Sequence, residues 1–358
     1  MRVLQIGSDR SKRGILYPES PAALRQRAYG EYFDALDIIG FSLRSDGRSR
    51  FQISPTVSVC PTNSLTKLLY GLDTLRIMHT LPYPDVISVQ DPFESGLLGV
   101  LISKLYKVPL HVQVHTDFTA PEYRAHSILN RVRVILARYV VRRAARIRVI
   151  SERIKKGREE PCTTAAPISI LPIYVDVETF KNAAPDTTLL ERFSAFATKT
   201  LVVSRLEPEK NVALAIKAIA ESAPGDACLI IVGEGSERKN LENLVQELHV
   251  SDRVFFEGEH PAIEYYPLAD LVLVTSYYEG YGLVIIEALA SSKPVISTDV
   301  GSAREMGVTV TSVEDFPVAL KEWFENGPYE MHLKNYPYKD LAEYARMYTD
   351  DIAKSIKK

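Results

Sequence analysis

Cysteine is scarce in this chain. Three residues in 358, Cys60, Cys162 and Cys228, lie far apart and form no CxxC pair. That excludes a disulfide scaffold and a cysteine-type zinc cluster, and it fits a reducing compartment. Long apolar runs are missing too: none approaches the roughly 18–20 residues that a membrane-spanning helix needs. The opening MRVLQIGSDR reads as a short strand followed by polar residues, not as a signal peptide, so a cytoplasmic location is expected. Net charge is almost absent, −2 from 43 basic and 45 acidic residues.

That near-zero balance hides an asymmetry. Residues 1–180 carry 25 basic and 17 acidic side chains, which leaves 18 of the 43 basic and 28 of the 45 acidic ones for the remainder. A length of 358 residues with 46% hydrophobic content is enough for two domains that each bury a core. Opposite charge in the two halves supports the same division. A basic first half implies an anionic partner, which leaves open a membrane surface, a phosphorylated acceptor or nucleic acid.

Short apolar runs alternate with amphipathic stretches. Val3–Ile6, Val86–Val89, Leu110–Val114 and Ile147–Ile150 predict buried strands in the first half. Leu201–Val203, Leu229–Val232, Val254–Phe256, Leu271–Thr275 and Pro294–Ser297 predict them in the second. Helices are expected between, at Pro21–Leu36, Gly96–Leu105, Ile128–Ala145, Val212–Ser222, Glu237–Leu248 and Leu283–Ala290. Such alternation gives parallel βαβ units with both sheet faces covered. The pattern runs twice, with a Pro/Thr/Ala-rich break between about 155 and 200. The expected fold is α/β: two doubly wound Rossmann-like domains, 1–180 and 181–336, followed by a terminal helix over 337–358 that leaves the second. Ligands of such sheets bind at the carboxyl ends of strands, so the loops there hold the candidate site.

Three of those loops stand out in the second half. SRLEPEKN, 204–211, places Arg205 and Lys210 just before a helix. Two cations beside a helix N-terminus suit a diphosphate, although solvated loop charges would look the same. GEGSE, 233–237, has Gly233 and Gly235 flanking Glu234, where the glycines permit positive φ and a close approach of backbone to a ligand. SYYEGYGLVIIEAL, 276–289, puts Glu279 in a loop, Gly280 and Gly282 around Tyr281, a helix start at Leu283, and Glu287 one turn into that helix. Carboxylates in these places can accept hydrogen bonds from sugar and ribose hydroxyls; an exposed Glu279 and an ion-paired Glu287 are the plainer alternative.

This ordered set resembles the donor site of retaining GT-B glycosyltransferases, and most nearly that of glycosyltransferase family 4. Arg205 and Lys210, the Glu-Gly-Tyr-Gly-Leu run with a second Glu eight positions after the first, the GEG loop, Phe256–Gly258 and Val300–Glu305 carry the resemblance. The resemblance implies that Arg205 and Lys210 bind the donor diphosphate and Glu279 holds the donor sugar. It also implies that the N–H groups of Tyr281, Gly282 and Leu283 face sugar and phosphates, that Glu287 binds the ribose, and that Phe256 and Gly258 lie near the base. In the first half the family usually has a glycine pair where this chain has Gly7 and Ser8, so the phosphate contact there is altered. A family histidine at the end of a strand selects His115 over His79, His111 and His126. Arg10 and Asp117 are the candidate acceptor contacts.

From Arg131 to Arg158 the sequence holds eleven basic residues against Glu152. Ile128, Val132, Ile135, Leu136, Tyr139 and Val140 form a helix face assigned to the core, with Arg131, Arg138 and Arg142 on another face. That basic face suits an anionic membrane surface, and a solvated helix face is the alternative. Nucleic acid is not expected, because exposed aromatics do not interleave with the charge. Asp176 and Glu178 imitate a metal-binding Asp-x-Asp but fall in the interdomain stretch, so no metal and no cofactor are expected. The implied reaction is metal-independent transfer of a hexosyl unit, with retention, from a UDP- or GDP-sugar to a hydroxyl acceptor. A nucleotide-sugar epimerase on the same fold and a non-catalytic sugar-nucleotide-binding subunit are the alternatives.

Overall fold

Runs rich in Val, Ile and Leu become the central strands of two parallel sheets, each covered by helices. The computed structural model describes residues 1–8, 14–157, 164–327, 331–334 and 336–356. The first sheet contains β1 (Arg2–Gly7), β2 (Ala35–Gly40), β3 (Phe51–Ser54), β4 (Val57–Pro61), β5 (Val86–Val89), β6 (Leu110–Val114), β7 (Arg146–Val149) and β8 (Ile168–Ile170). Their spatial order is β3-β4-β2-β1-β5-β6-β7-β8, parallel throughout except for the β3–β4 hairpin at one edge. The second sheet contains β9 (Thr198–Val203), β10 (Ala227–Val232), β11 (Val254–Gly258), β12 (Leu271–Val274), β13 (Val295–Thr298) and β14 (Thr309–Thr311). It runs β11-β10-β9-β12-β13-β14 and is entirely parallel. That is the dinucleotide-fold order, which reverses direction between β9 and β12.

The chain divides into a unit of Met1–Tyr174 with Tyr338–Lys358, and a unit of Val175–Pro337. The expected boundary at 180/181 is therefore corrected by six residues. The helix Val177–Lys181 packs on Leu283–Ala290 of the second unit, where the Phe180 ring meets Tyr266 edge-on at 5.6 Å and the Phe180 carbonyl accepts from Ser291 Oγ at 3.3 Å. In the first unit, the helix Leu341–Ala353 lies against Pro21–Gly30. Tyr348 stacks on Tyr29 there with ring centroids 4.2 Å apart.

Several boundaries also differ. The helix expected over Pro21–Leu36 ends at Gly30, and Ala35–Gly40 is a strand. Gly30 lies against β4, where an added Cβ would fall 2.3 Å from Val57 Cγ2. The helices at Val212–Ser222 and Leu283–Ala290 match the periodicity residue for residue. Val212–Ser222 buries Val212, Leu214, Ala215, Ile216, Ala218 and Ile219. At about 1.5–3 kcal/mol for each large apolar side chain, this burial anchors the loop that precedes it.

Candidate active site

The reversal of strand order in the second unit brings together the loops after β9 and β12. Lys210 closes the first loop and Glu279 sits in the second; their side chains form an ion pair, both mostly buried. Ser276 Oγ donates to the same Glu279 oxygen, Oε1, at 2.8 Å. The loops are also stitched through backbone: Thr275 Oγ1 donates to the Lys210 carbonyl at 3.0 Å, and the Tyr277 N–H to the Glu209 carbonyl at 2.9 Å. Asn211 takes up left-handed φ of +48° to start the helix Val212–Ser222. Arg205 is exposed and bonds Glu209 Oε1 at 2.8 Å. Thus Lys210 and Glu279 meet at the strand ends, Arg205 stands on the same loop as Lys210, and each cation already faces a carboxylate. Ser276 and Glu209 were not singled out in the sequence. The i, i+4 spacing of Arg205 and Glu209 was a usable signal; a serine three residues before a glutamate was not.

Glycine serves chain packing in the loop after β10. Gly233 has φ +140°, and a Cβ there would fall 1.8 Å from the Ser204 carbonyl oxygen. A Cβ on Gly235 would meet the Leu206 carbonyl oxygen at 2.3 Å. In the structure this close approach is made to the loop after β9. It is fixed by Leu206 N–H to Glu234 O at 2.9 Å and Glu237 N–H to Leu206 O at 2.8 Å. Glu234 is exposed and paired with Arg238, whose guanidinium covers the Phe256 ring at 4.6 Å. Gly258, with φ +77°, accepts from the Gly233 N–H at 2.7 Å.

Gly282, at φ +80°, caps the helix Leu283–Ala290 and directs the helix's first N–H groups to the strand-end side. Gly280 precedes Tyr281, which is buried; its carbonyl accepts from Ser302 Oγ at 2.8 Å. Glu287 accepts from the Tyr266 hydroxyl at 2.8 Å. Burial and the Glu287 charge push the Tyr266 hydroxyl well above its ordinary pKa, so it remains a donor. Tyr266 was missed because it lies in a short turn with no motif of its own.

In the first unit, Gly7 ends β1, and Ser8 Oγ donates to Asp91 Oδ2 at 2.9 Å across the β1/β5 strand ends. Burial pushes the Asp91 carboxyl up. Arg10 lies outside the described residues. Asp117 is buried: Oδ1 accepts from Thr119 Oγ1 at 2.6 Å and Oδ2 faces Arg153 at 3.4 Å. It is a buried charge that closes its own turn.

His115 stands at the end of β6 on the same face as His111 and Gln113. Burial first, then Arg148, Arg25 and His111, pull its pKa down to about 3, so it is neutral near pH 7. Its Nε2 lies 3.3 Å from Gln113 Oε1. That oxygen also accepts from Arg148 Nη1 at 2.8 Å. A guanidinium can only donate, so the amide orientation follows, and His115 carries its proton on Nε2. Gln113 Nε2 in turn donates to Ser88 Oγ at 3.0 Å and the Tyr348 hydroxyl at 2.8 Å. His111 lies 3.0 Å from Ser88 Oγ and 3.1 Å from Asp351 Oδ2. Arg148 is fully buried and also bonds the Leu171 carbonyl and the Tyr344 hydroxyl.

The 131–158 stretch is rearranged relative to expectation. Most of the face given to the core points to solvent: Ile128 is 78%, Val132 47%, Ile135 66% and Tyr139 37% exposed. Of that face Val140 is buried and Leu136 half-buried, while Asn130, Val134, Ala137 and Val141 complete the inward side. The two faces both carry apolar residues, so periodicity alone could not choose between them. Arg131 and Arg142 are exposed, Arg138 is half-buried and Arg148 lies in the core. Among the described residues no helix is long and apolar enough to cross a membrane. Asp176 and Glu178 are engaged locally: Asp176 Oδ1 accepts from the Thr179 N–H at 3.2 Å as a helix cap, and Glu178 Oε2 accepts from Asn182 at 3.4 Å.

Two doubly wound sheets in one chain, with charges gathered at the switch point of the second, define a two-domain α/β protein of Rossmann-like winding. The comparisons with known proteins are more specific. The family described as glycosyl transferases group 1 matches residues 196–340, and the glycosyl transferase 4-like domain matches 26–158. Alpha-D-kanosaminyltransferase of Streptomyces kanamyceticus is 29% identical over 58% of this chain and 56% of its own length. Alpha-monoglucosyldiacylglycerol synthase of Streptococcus pneumoniae is 27% identical over 60% of this chain and 51% of its own length. The chain spans about half the length of these curated relatives. Among solved structures, Anabaena HepE in complex with UDP and glucose gives a TM-score of 0.70 at 20% identity, covering 99% of this chain and 94% of that one. Sucrose-phosphate synthase from Thermosynechococcus elongatus gives 0.76 at 18%, covering 100% and 97%. The chain belongs to the GT-B glycosyltransferases of the family 4 type.

Proposed function

We propose that the chain is a retaining glycosyltransferase that moves a hexosyl unit from a UDP- or GDP-sugar to a hydroxyl acceptor without a metal ion. The observation that carries this reading is the Lys210–Glu279 pair at the switch point of the second sheet. A donor entering there meets Lys210, Arg205 and the N-terminus of Leu283–Ala290, which together stabilise a leaving diphosphate electrostatically. Glu279, released from Lys210 as the diphosphate takes its place, accepts from hydroxyls of the sugar. Glu287, held by Tyr266, receives the ribose hydroxyls. As the bond from the anomeric carbon to the phosphate oxygen breaks, its electron pair stays on the diphosphate. The acceptor oxygen bonds to that carbon on the same face, and its proton passes to a donor phosphate oxygen. In this scheme His115, being neutral, acts as a polar hydrogen-bonding group rather than as a charge. The solved GT-B structure holding UDP and glucose supports a nucleotide-sugar donor.

A thermal-shift screen with UDP-, GDP- and ADP-sugars tests the donor site; saturation at 100 times the dissociation constant adds about 2.7 kcal/mol of stability. Turnover with the responding sugar, in excess EDTA, should continue, and Lys210→Ala should lower kcat/KM by about 10²–10³. No response to any nucleotide sugar sinks the reading. Epimerised sugar without transfer would favour the epimerase instead.

An anionic membrane surface is the proposed second partner. The exposed apolar stripe Ile128, Val132, Ile135 and Tyr139 lies beside Arg131 and Arg142. The neighbouring helix Glu94–Tyr106 exposes Leu97, Leu101 and Leu105. Apolar residues flanked by arginines are the pattern of a helix lying in a headgroup layer. Sedimentation with phosphatidylglycerol vesicles should capture the protein, phosphatidylcholine vesicles should not, and Ile135→Asp should lower capture about tenfold. Equal capture of the variant would refute this partner.

A further inference from the structure

The loops after β2 and β4 surround a cavity of about 390 Å³ in the first unit, lined by Arg44, Arg48 and Arg76 with Asn63, Leu65 and Asp73 among its walls. It opens at the carboxyl edge of the parallel sheet, where ligands of doubly wound folds bind. Three arginines and a single carboxylate, Asp73, are among its lining residues. Asp73 Oδ1 is bonded to Arg76 at 2.8 Å, and neither Arg44 nor Arg48 has a carboxylate partner among the described residues. Arg48 lies over the Tyr17 ring, 3.9 Å from its centroid, which holds its planar fork in place.

The walls are built rather than loose. Beyond the last residues of β2 and β4 the two loops continue to pair. The Thr62 N–H donates to Gly40 O, Ser64 N–H to Ser42 O and Arg44 N–H to Ser64 O, each at 2.9 Å. Asn63 adopts left-handed φ of +46° and donates from Nδ2 to the Arg48 carbonyl at 2.6 Å. Gly47 turns the chain back with φ +61°. Like charges gathered on such a fixed platform repel one another. Ordering them is justified where an anion of matching geometry fills the space between.

We propose that this cavity binds a phosphomonoester carried by the acceptor. Guanidinium forks match phosphate oxygens in pairs, and Leu65 offers apolar wall to the carbon skeleton next to the phosphate. The word acceptor rests on the transferase reading above; the binding of the phosphomonoester does not.

The full chain, without any donor, is titrated calorimetrically with glycerol 1-phosphate and with glycerol. Saturable binding of the phosphate ester at least tenfold tighter than of glycerol, weakened by salt, is expected. Arg44→Gln combined with Arg48→Gln should weaken it by about tenfold or more. Asp73→Asn, which removes the opposing carboxylate, should tighten it, a direction that misfolding cannot imitate. Failure of the wild type to saturate, equal binding of glycerol, or unchanged affinity in both variants would overturn the proposal. Vesicles of phosphatidate in phosphatidylcholine form the second arm. Capture that glycerol 1-phosphate competes away and the double variant loses makes the phosphate a lipid headgroup. Capture no better than by phosphatidylcholine alone makes it a soluble ester. Phosphate binding in a protein that no nucleotide sugar stabilises would leave the cavity standing and remove the transferase reading; the reverse result would remove the cavity alone.

Discussion

The two sheets share a winding order across their reversal points but fill their interiors differently. Buried polar residues of the second unit, among those described, are all small hydroxyls: Thr200, Thr275, Ser276, Ser297, Thr298 and Ser302. Several tie down backbone at the strand ends, as when Thr298 Oγ1 donates to the Ser276 carbonyl at 2.6 Å. The first unit instead buries Gln5, His111, Gln113, Arg148 and Asp351. It joins them to Tyr344 and Tyr348 of the terminal helix in one hydrogen-bonded layer. The second unit thus has an apolar core, with the Lys210–Glu279 pair held in its strand-end loops. The first places charge under its sheet, and uses it to seat a helix that arrives from the far end of the chain. Paired polar knobs of this kind specify one seating of a helix where an apolar face would tolerate several.

The largest expected effect comes from breaking that layer. Arg148→Met leaves the buried Leu171 carbonyl without its donor and Gln113 Oε1 with only the longer contact from His115. It should destabilise the first unit by about 3–5 kcal/mol. Urea unfolding followed by far-UV circular dichroism should show the loss. Fluorescence of the single tryptophan, Trp323, which sits in the second unit's core, should shift little. If both probes moved together by the full amount, the polar layer would not belong to the first unit alone. Lys210→Ala serves as the opposite case, a large change in turnover with a small change in either transition.

A smaller effect separates the units by pH. His115 has a folded pKa of about 3 against an ordinary value of 6.5, and burial lowers His111 as well. Between those values the unfolded chain binds protons that the folded chain does not. Stability is therefore complete above pH 6.5 and falls as pH drops toward 3. Burial would raise the Asp351 carboxyl, but the hydrogen bonds from His111, Ser169 and Arg146 hold it below its ordinary value, which adds a loss of the same sign at lower pH. Melting temperature should fall between pH 6.5 and 4, and His115→Asn should recover on the order of 3 °C of that loss. A pH-independent difference between variant and wild type would refute the assigned protonation states.

The second unit was the more legible of the two. Its apolar strands and the helices Val212–Ser222 and Leu283–Ala290 follow local periodicity, and its charged candidates fall on consecutive strand-end loops. The first unit was read less well. The strand Ala35–Gly40 was missed, its first two residues, Ala35 and Leu36, being read as the end of a helix that stops at Gly30. Arg148 was counted with a solvated basic run, since an arginine in RIRVI gives no sign that two carbonyls, a glutamine and a tyrosine await it.

By itself the amino-acid sequence determined the fold class, the tandem winding and the residues that populate the second unit's strand-end loops, because periodicity and strand-to-loop order are local properties. Only the tertiary structure decided which face of Ile128–Val141 is buried, where the terminal helix is seated, that Lys210 and Glu279 pair across sixty-nine residues, and that three arginines share one cavity. Each of those depends on which strands become neighbours. Hydrogen bonds and like charges are priced by the distance across the sheet, which spacing along the chain does not encode.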